Sequence, residues 1–287
     1  MNFLNILKDI EAIDPEITDK ISPRRDVIKN ITSFGSKVAL SALPFAMGSM
    51  FNKASAQTSS SVGDVLNFAL TLEYLEAEFY TTALNSPALL ALIPAGPALA
   101  ALQRIRDDEN AHVKFLKDTL AALKVTAVSK PTFDFTAKGT FPTVFSNYGT
   151  FLAVSQAFED TGVRAYKGQA PNLIGNKVVL TAALSIHSVE ARHASHIRQM
   201  RRATGGDLVN LKPWITGDAN NFNDSGVSAV NATYMGENNK MQATVDITTL
   251  TGATPGSKIS YSAAVEAFDE PLTTQAVLDI ANLFIVK

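Results

Sequence analysis

Two Glu-x-x-His pairs, Glu109…His112 and Glu190…His193, use two of the four histidines in this 287-residue chain. Each pair lies in a stretch with helical periodicity. Each of those stretches follows another that carries a glutamate seven residues ahead of a tyrosine: Glu73 before Tyr80, and Glu159 before Tyr166. Residues three apart on a helix lie on one side of it, about 60° apart around the axis, so one Glu-x-x-His offers a carboxylate and an imidazole to a single ion. Two such pairs plus one glutamate from each partner helix give four carboxylates and two imidazoles, the ligand set of a dinuclear carboxylate site. Oxygen and nitrogen donors in that mixture suit iron or manganese better than zinc. Four carboxylates buried together without a cation must take up protons, and a pair of divalent ions removes that conflict. A lone Glu-x-x-His is commonly a surface ion pair; the repeat, with a stripe glutamate and a tyrosine in each half, carries the reading.

Four helices must position these groups. Val62, Leu66, Ala69, Glu73, Ala77 and Tyr80 recur at helical spacing, which places Glu73 on the apolar stripe of a first helix capped by Ser61 and ending near Asn85-Ser86-Pro87. A second helix over residues 97 to 123 puts Leu102, Ile105, Glu109, His112 and Leu116 on one face. The third, over residues 148 to 167, carries Phe151, Val154, Phe158, Glu159 and Tyr166. The fourth, over residues 176 to 203, carries Leu180, Leu184, His187, Glu190, His193 and Ile197 ahead of Gly205-Gly206. Short connections within each pair predict antiparallel hairpins. The segment between the hairpins, residues 124 to 147, reaches about 80 Å when extended. A helix of roughly 25 residues is only about 38 Å long, so this segment can cross the whole bundle, with Phe133 and Phe135 packing on its outside. Repetition of Glu, Tyr, Glu-x-x-His indicates an internal pseudo-two-fold that brings both ligand sets to one level. The repeat is broken where Val189 stands in the position of Asp108, so the two metal positions are expected to differ.

The constellation resembles the ferritin-like family, and within it the branch of the plant desiccation-related proteins and bacterial relatives. The residues carrying the resemblance are Asn67-Phe68-Ala69-Leu70 through Glu73 to Tyr80, Asp108-Glu109-Asn110-Ala111-His112, Phe158-Glu159-Asp160-Thr161-Gly162, Tyr166 and Val189-Glu190-Ala191-Arg192-His193, with an echo in Ala267-Phe268-Asp269-Glu270-Pro271. It implies an all-α, up-down-down-up four-helix bundle with one long crossover. It also implies that Glu73, Glu109, His112, Glu159, Glu190 and His193 bind two iron ions, or iron and manganese, with Glu109 and Glu190 bridging. Tyr80 and Tyr166 are expected to hydrogen-bond the glutamate of the opposite half, and Asp108 to orient His193. Glu76, one turn from Glu73, is read as a solvated rim residue ahead of a substitute ligand, Glu78 as surface, and His187 and His196 as capping or core histidines ahead of an outer-contact role behind the ligands.

The chain has no cysteine, which excludes disulfides, iron–sulfur clusters and an internal rubredoxin-type electron donor. Its net charge of −2 and lack of a polybasic run give no reason to expect a nucleic-acid partner. Arg198, Arg201 and Arg202 read as a solvated helix end. Ser22-Pro23-Arg24-Arg25-Asp26-Val27-Ile28-Lys29 resembles a twin-arginine export motif, followed by an apolar run from Val38 to Phe51 and by Ala54-Ser55-Ala56, a small-x-small cleavage signature. Residues 1 to 56 are therefore read as an export signal that engages the twin-arginine translocase, residues 57 to 206 as the bundle, and 207 to 287 as an extension packed on it. No mature stretch is long and apolar enough for a membrane span. In the extension, residues 245 to 250 and 258 to 263 read as short strands or extended wraps, residues 273 to 284 as a docking helix, and Trp214 as a packing anchor.

The leading expectation is an exported, periplasmic dinuclear protein that reacts with dioxygen or peroxide as an oxidase or peroxidase-type oxidoreductase. The alternative is a non-catalytic, metal-stabilised stress or desiccation-related envelope protein. Iron storage in a shell ranks last, because the polar extension is hard to place in a cage wall. A homo-oligomer is left open.

Overall fold

A computed structural model describes residues 59–217, 222–254 and 256–286, so the export-signal reading, on residues 1 to 56, lies outside the described residues. Four long helices form the bundle: α1 Ser59–Leu84, α2 Pro97–Ala122, α3 Tyr148–Gln169 and α4 Lys177–Ala203. α1 packs chiefly on α2 and α3 on α4, as two antiparallel hairpins. A single turn, Pro87–Leu90, lies in the first connection, and a 3₁₀ turn, Ala170–Leu173, in the second. These bounds lie within a few residues of those expected from the sequence. Asn147 caps α3 by accepting from the Thr150 N–H, and Asn176 caps α4 by accepting from the Val179 N–H. α1 begins at Ser59, so Ser61 lies inside the helix instead of capping it.

The crossover runs back along the bundle as expected, tethered where Asn67 of α1 donates to the Thr126 carbonyl and accepts from the Val128 N–H. It then pairs with the chain's last residues: the Asp134 N–H donates to the Phe284 carbonyl and the Val286 N–H to the Thr132 carbonyl. Phe133 stays partly buried, but Phe135 goes further in than expected and joins the core against Phe79, with ring centroids 5.3 Å apart.

α3 has no solvent face: every residue from Phe151 to Tyr166 is buried. Apolar side chains on one side meet the bundle, while Gln156, Asp160 and Arg164 on the other meet the extension. The Arg164 guanidinium pairs with Glu237 at 2.8 Å and donates to the carbonyls of Glu270, Thr233 and Met235. Asp160 accepts from the Tyr234 hydroxyl and from Arg198, which also pairs with Asp224 at 2.6 Å. Arg201 donates to Gln156 and to the Ser225 carbonyl. Arg198 and Arg201 are therefore buried, not a solvated helix end; only Arg202 of the three is exposed. The extension supplies the partners that make this burial tolerable. At Gly168 the Leu272 carbonyl approaches α3 so closely that a Cβ there would overlap it, which is why glycine occupies this turn.

Within the extension, α5 Tyr261–Val265 and α6 Thr274–Ala281 are helical. Val277, Ile280 and Phe284 dock as expected. The strand readings hold only at their starts: Val245–Asp246 pairs with Met241–Gln242 and Lys258 bridges Thr251, while Ile247–Thr249 turns into a 3₁₀ helix and Tyr261 begins α5. Trp214 is 47% exposed and donates its indole N–H to Glu266, so it is a rim contact and not a buried anchor. Among the described residues no helix is long and apolar enough to cross a membrane.

Candidate metal centre

The six side chains singled out by spacing converge midway along the bundle: Glu73 from α1, Glu109 and His112 from α2, Glu159 from α3, and Glu190 and His193 from α4. All four glutamates have 0% exposure. Glu73, Glu109, His112 and Glu190 offer one atom each within 4.8 Å of one another, and so do Glu109, Glu159, Glu190 and His193. Glu109 and Glu190 thus belong to both groups, while each histidine belongs to one. His112 Nδ1 lies 3.1 Å from Glu73 Oε2, 3.2 Å from Glu109 Oε2 and 3.3 Å from Glu190 Oε1. His193 Nδ1 lies 2.7 Å from Glu109 Oε1 and 3.3 Å from Glu159 Oε2. Glu109 therefore presents one carboxylate oxygen to each imidazole, and the two rings stand 6.4 Å apart.

Outer contacts hold the glutamates from behind. The Tyr80 hydroxyl of α1 donates to Glu159, and the Tyr166 hydroxyl of α3 donates to Glu73, each reaching across to the opposite half. Asp108 accepts from His193 Nε2 at 3.4 Å and is paired with Arg104 at 2.8 Å. Burial works against its charge, but His193 and Arg104 hold its carboxyl below the usual range, so the imidazole is the donor. Val189 offers His112 no such contact.

Electrostatics show what the cluster lacks. Burial opposes the charge on Glu73, yet His112 beside it holds that carboxyl low. Burial and the neighbouring carboxylates push Glu190 well up, and Glu109 is raised to about 7, chiefly by burial. Burial also opposes protonation of His112 and His193, but the surrounding glutamates overwhelm it and raise both. Glu109 Oε1, Glu159 Oε2, both oxygens of Glu190 and His193 Nδ1 are buried without a hydrogen-bond partner. Glu109 Oε1 and His193 Nδ1 are close but not aligned to bond each other. Their lone pairs converge on shared space instead, which is the arrangement of ligand atoms around ions and a costly one without them. The donor set, in two overlapping groups, therefore fits metal binding.

Among the neighbouring residues Glu76, His196 and Leu184 depart from the sequence expectation, whereas Glu78 and His187 agree with it. Glu76 is not a solvated rim residue: it is 3% exposed, and burial followed by the Glu190 and Glu109 carboxylates drives its carboxyl well up. It fits because α3 has glycine opposite. A Cβ on Gly162 would lie 3.0 Å from Glu190 Oε2 and 3.3 Å from Glu76 Oε1. The signal was present, since Glu76 occupies the place in its half that Gly162 occupies in the other. Glu78 is at the surface, paired with Lys130 at 2.7 Å. His187 lies against the Val163 carbonyl at 3.0 Å and His196 is exposed, so neither reaches the cluster. Leu184, placed on the inner face of the fourth helix, is 46% exposed, and Val179 and Ile186 take that face.

Four antiparallel helices joined by one crossover, with paired carboxylate and imidazole groups at a common level, define a class in which dinuclear metal binding is frequent. Residues 61–203 match the model of the ferritin-like domain family, and the bundle is a ferritin-like domain. Among curated proteins, none matches the chain.

Proposed function

We propose that this protein is an exported dinuclear metalloprotein that binds two iron ions, or iron and manganese, and uses them in redox chemistry with dioxygen or peroxide. The observation that carries the reading is the set of buried, unpartnered oxygen and nitrogen atoms of Glu109, Glu159, Glu190 and His193, facing one another from three helices beside Glu73 and His112. Glu73 and His112 would hold one ion and Glu159 and His193 the other, with Glu109 and Glu190 shared. Two ferrous ions supply two electrons, enough to reduce dioxygen to hydrogen peroxide or peroxide to two waters, with two protons taken up in either case. The protein's own part is positional. Tyr80 and Tyr166 fix the terminal glutamates, Asp108 keeps His193 Nδ1 turned inward, and Glu76 keeps a proton beside Glu190.

Export is supported by the paired arginines at 24 and 25 and by Ala54-Ser55-Ala56. Translocation of an already folded chain suits a protein that must acquire metal first. The motifs around Glu73 to Tyr80 and Ala267 to Pro271 support kinship with the desiccation-related branch.

Elemental analysis of protein purified from iron-replete cells should find two metal ions per chain. Adding ferrous iron in the presence of dioxygen or peroxide should develop near-ultraviolet absorbance faster than buffer alone. A chain that binds two metals but turns over neither oxidant would leave the non-catalytic envelope role; a chain that binds none would remove the metal reading altogether.

A further inference from the structure

We infer that a small apolar cavity at one end of the bundle is the entry and holding site for dioxygen, so that dioxygen and not peroxide is the oxidant this centre is built to take. This rests on the metal reading above and goes beyond it by naming the substrate and its route.

The cavity has a volume of about 20 Å³ and lies between all four long helices. Its inner wall is one helical turn from the centre: Ala69 precedes Glu73, Leu116 follows His112 and Ile186 precedes Glu190, each by four residues. Four residues of helix rise about 6 Å. The half-buried Val65, Phe68 and Phe115 form its outer rim. It therefore reaches from near the surface toward the Glu73–His112 side of the cluster and not toward the Glu159–His193 side.

Its chemistry excludes polar guests. Three lining residues carry polar atoms, and all are committed elsewhere. Tyr166 donates to Glu73, the Thr119 hydroxyl donates to the Phe115 carbonyl, and the Gln169 amide donates to Thr274 and accepts from Asn172. A space of this size can hold one small molecule, but water needs two to four polar partners to stay in it, and an apolar cavity without them stays dry. Hydrogen peroxide, with two O–H donors, faces the same penalty. Dioxygen is small and apolar and needs no hydrogen bond.

The opposite end of the bundle shows that the space is not imposed by the fold. In the register that carries Glu73 onto Glu159 and Tyr80 onto Tyr166, Val65 falls on Phe151, Leu72 on Phe158, and Ala165 on Phe79. Those three rings pack together, with Phe79 centred 5.2 Å from Phe151 and 4.9 Å from Phe158. Aromatic rings fill at one end what smaller side chains leave open at the other.

Two measurements decide it. Crystals of the whole protein pressurised with xenon, an apolar probe of similar size, should show xenon in this cavity. In ferrous-loaded protein, Val65→Phe should slow oxidation by dioxygen at least about tenfold, because a packed interior excludes the guest, while leaving oxidation by peroxide within about twofold. Ala182→Leu, from the half-buried α4 wall, serves if Val65→Phe does not fold. Absent xenon density, or equal slowing of both oxidants, overturns the inference, as does an unchanged dioxygen rate in a correctly folded plugged variant. Metal content measured on the same samples separates the two failures. Protein without metal defeats the proposed function and the oxygen route with it, whereas fully loaded protein with an unaltered dioxygen rate defeats the cavity alone.

Discussion

The two ends of this bundle begin from one plan and diverge. At the end where α1 finishes and α3 starts, Phe79, Tyr80, Phe151 and Phe158 interlock, with Phe135 of the crossover and Phe284 of the C-terminal segment closing over them. At the other end the equivalent positions hold Val65, Leu72 and Ala165, and a small cavity remains beside Tyr166. The level of the clustered carboxylates and imidazoles between them keeps most of its symmetry: each half contributes a glutamate, a tyrosine and a Glu-x-x-His. A repeat can therefore conserve its central polar layer while its flanking layers diverge, one filled by aromatic rings and the other leaving a cavity. The extension serves both ends: Phe284 closes over the aromatic rings, while Leu272, Val277, Ile280 and Ala281 pack with Leu72 and Ala165 at the other end.

The largest test of this division lies at the centre itself. Glu109 and Glu190 belong to both ligand groups, whereas Glu73 and His112 face only the cavity side and Glu159 and His193 only the aromatic side. Glu109→Ala should remove both ions, and Glu73→Ala should remove the one on the cavity side first, each read by elemental analysis. Glu78→Ala, at the surface, should remove neither. If Glu78→Ala alone emptied the site, the helix register proposed here would be wrong. A smaller effect is expected in the flanking layers. Phe158→Ala should cost the metal-free protein about 3–5 kcal/mol in denaturant unfolding, while Leu72→Ala, whose neighbourhood is already partly open, should cost about 2 kcal/mol. Equal costs at the two positions would mean that the ends are packed alike.

What the sequence revealed and what it hid follow from the range of the interactions involved. The convergence of the six side chains, the hairpins and the tyrosine contacts were legible because each depends on spacing along one helix or on the internal repeat. Burial of charge was not. Glu76 looked solvated because the glycine that makes room for it, Gly162, lies on another helix; the repeat register linking the two positions was the available clue. Arg198 and Arg201 looked like a helix end because their partners are distant in sequence: Asp160 and Gln156 lie across the hairpin on α3, and Asp224 is brought to them by the folded extension. The strand readings were cut short for a local reason. Asp246 accepts from the Thr248 N–H and Ser260 from the Ala263 N–H, and these side-chain caps divert β-prone residues into turns and a helix.

Proton competition distinguishes the centre from both flanking layers, which are held mainly by apolar packing. Glu109, raised to about 7 from 4.5, keeps in the folded metal-free protein a proton that the unfolded chain has lost; its contribution to stability is complete below pH 4.5 and lost as pH rises through about 7. His112 and His193, both raised, act in the same sense above 6.5. Glu73, held low, acts oppositely, but its contribution is lost only as pH falls below 4.5. Melting of the metal-free protein should therefore drop between pH 5.5 and 7.5. Metal binding must displace these protons and strengthens over the same window. At free metal a hundredfold above its dissociation constant, one site adds about 2.7 kcal/mol, or about 5–10 °C in Tm for a chain of this size. Calorimetry should show the gap between loaded and metal-free protein widening with pH. A gap that stayed constant would mean that these groups do not give up protons to the metal.

The smallest effect expected lies at Asp108 and Val189, a break in the repeat at the level of the clustered residues additional to that at Glu76 and Gly162. Asp108 holds His193 from behind, and Val189, its counterpart, leaves His112 without that support. Outer contacts of this kind typically contribute about 10–100-fold in metal affinity, and Asp108 is shared with Arg104 at a partly exposed position, which favours the lower figure. Asp108→Asn should weaken the ion on the aromatic side about tenfold and leave the cavity-side ion unchanged, reducing any difference in affinity between the two. Val189→Asp should do the converse, tightening the cavity-side ion toward its partner. Competition titration of both variants would show whether the asymmetry of the flanking layers extends to the ions themselves. If Asp108→Asn weakened both ions equally, Glu109 and Glu190 would couple the two positions too tightly for either end of the bundle to act on its own.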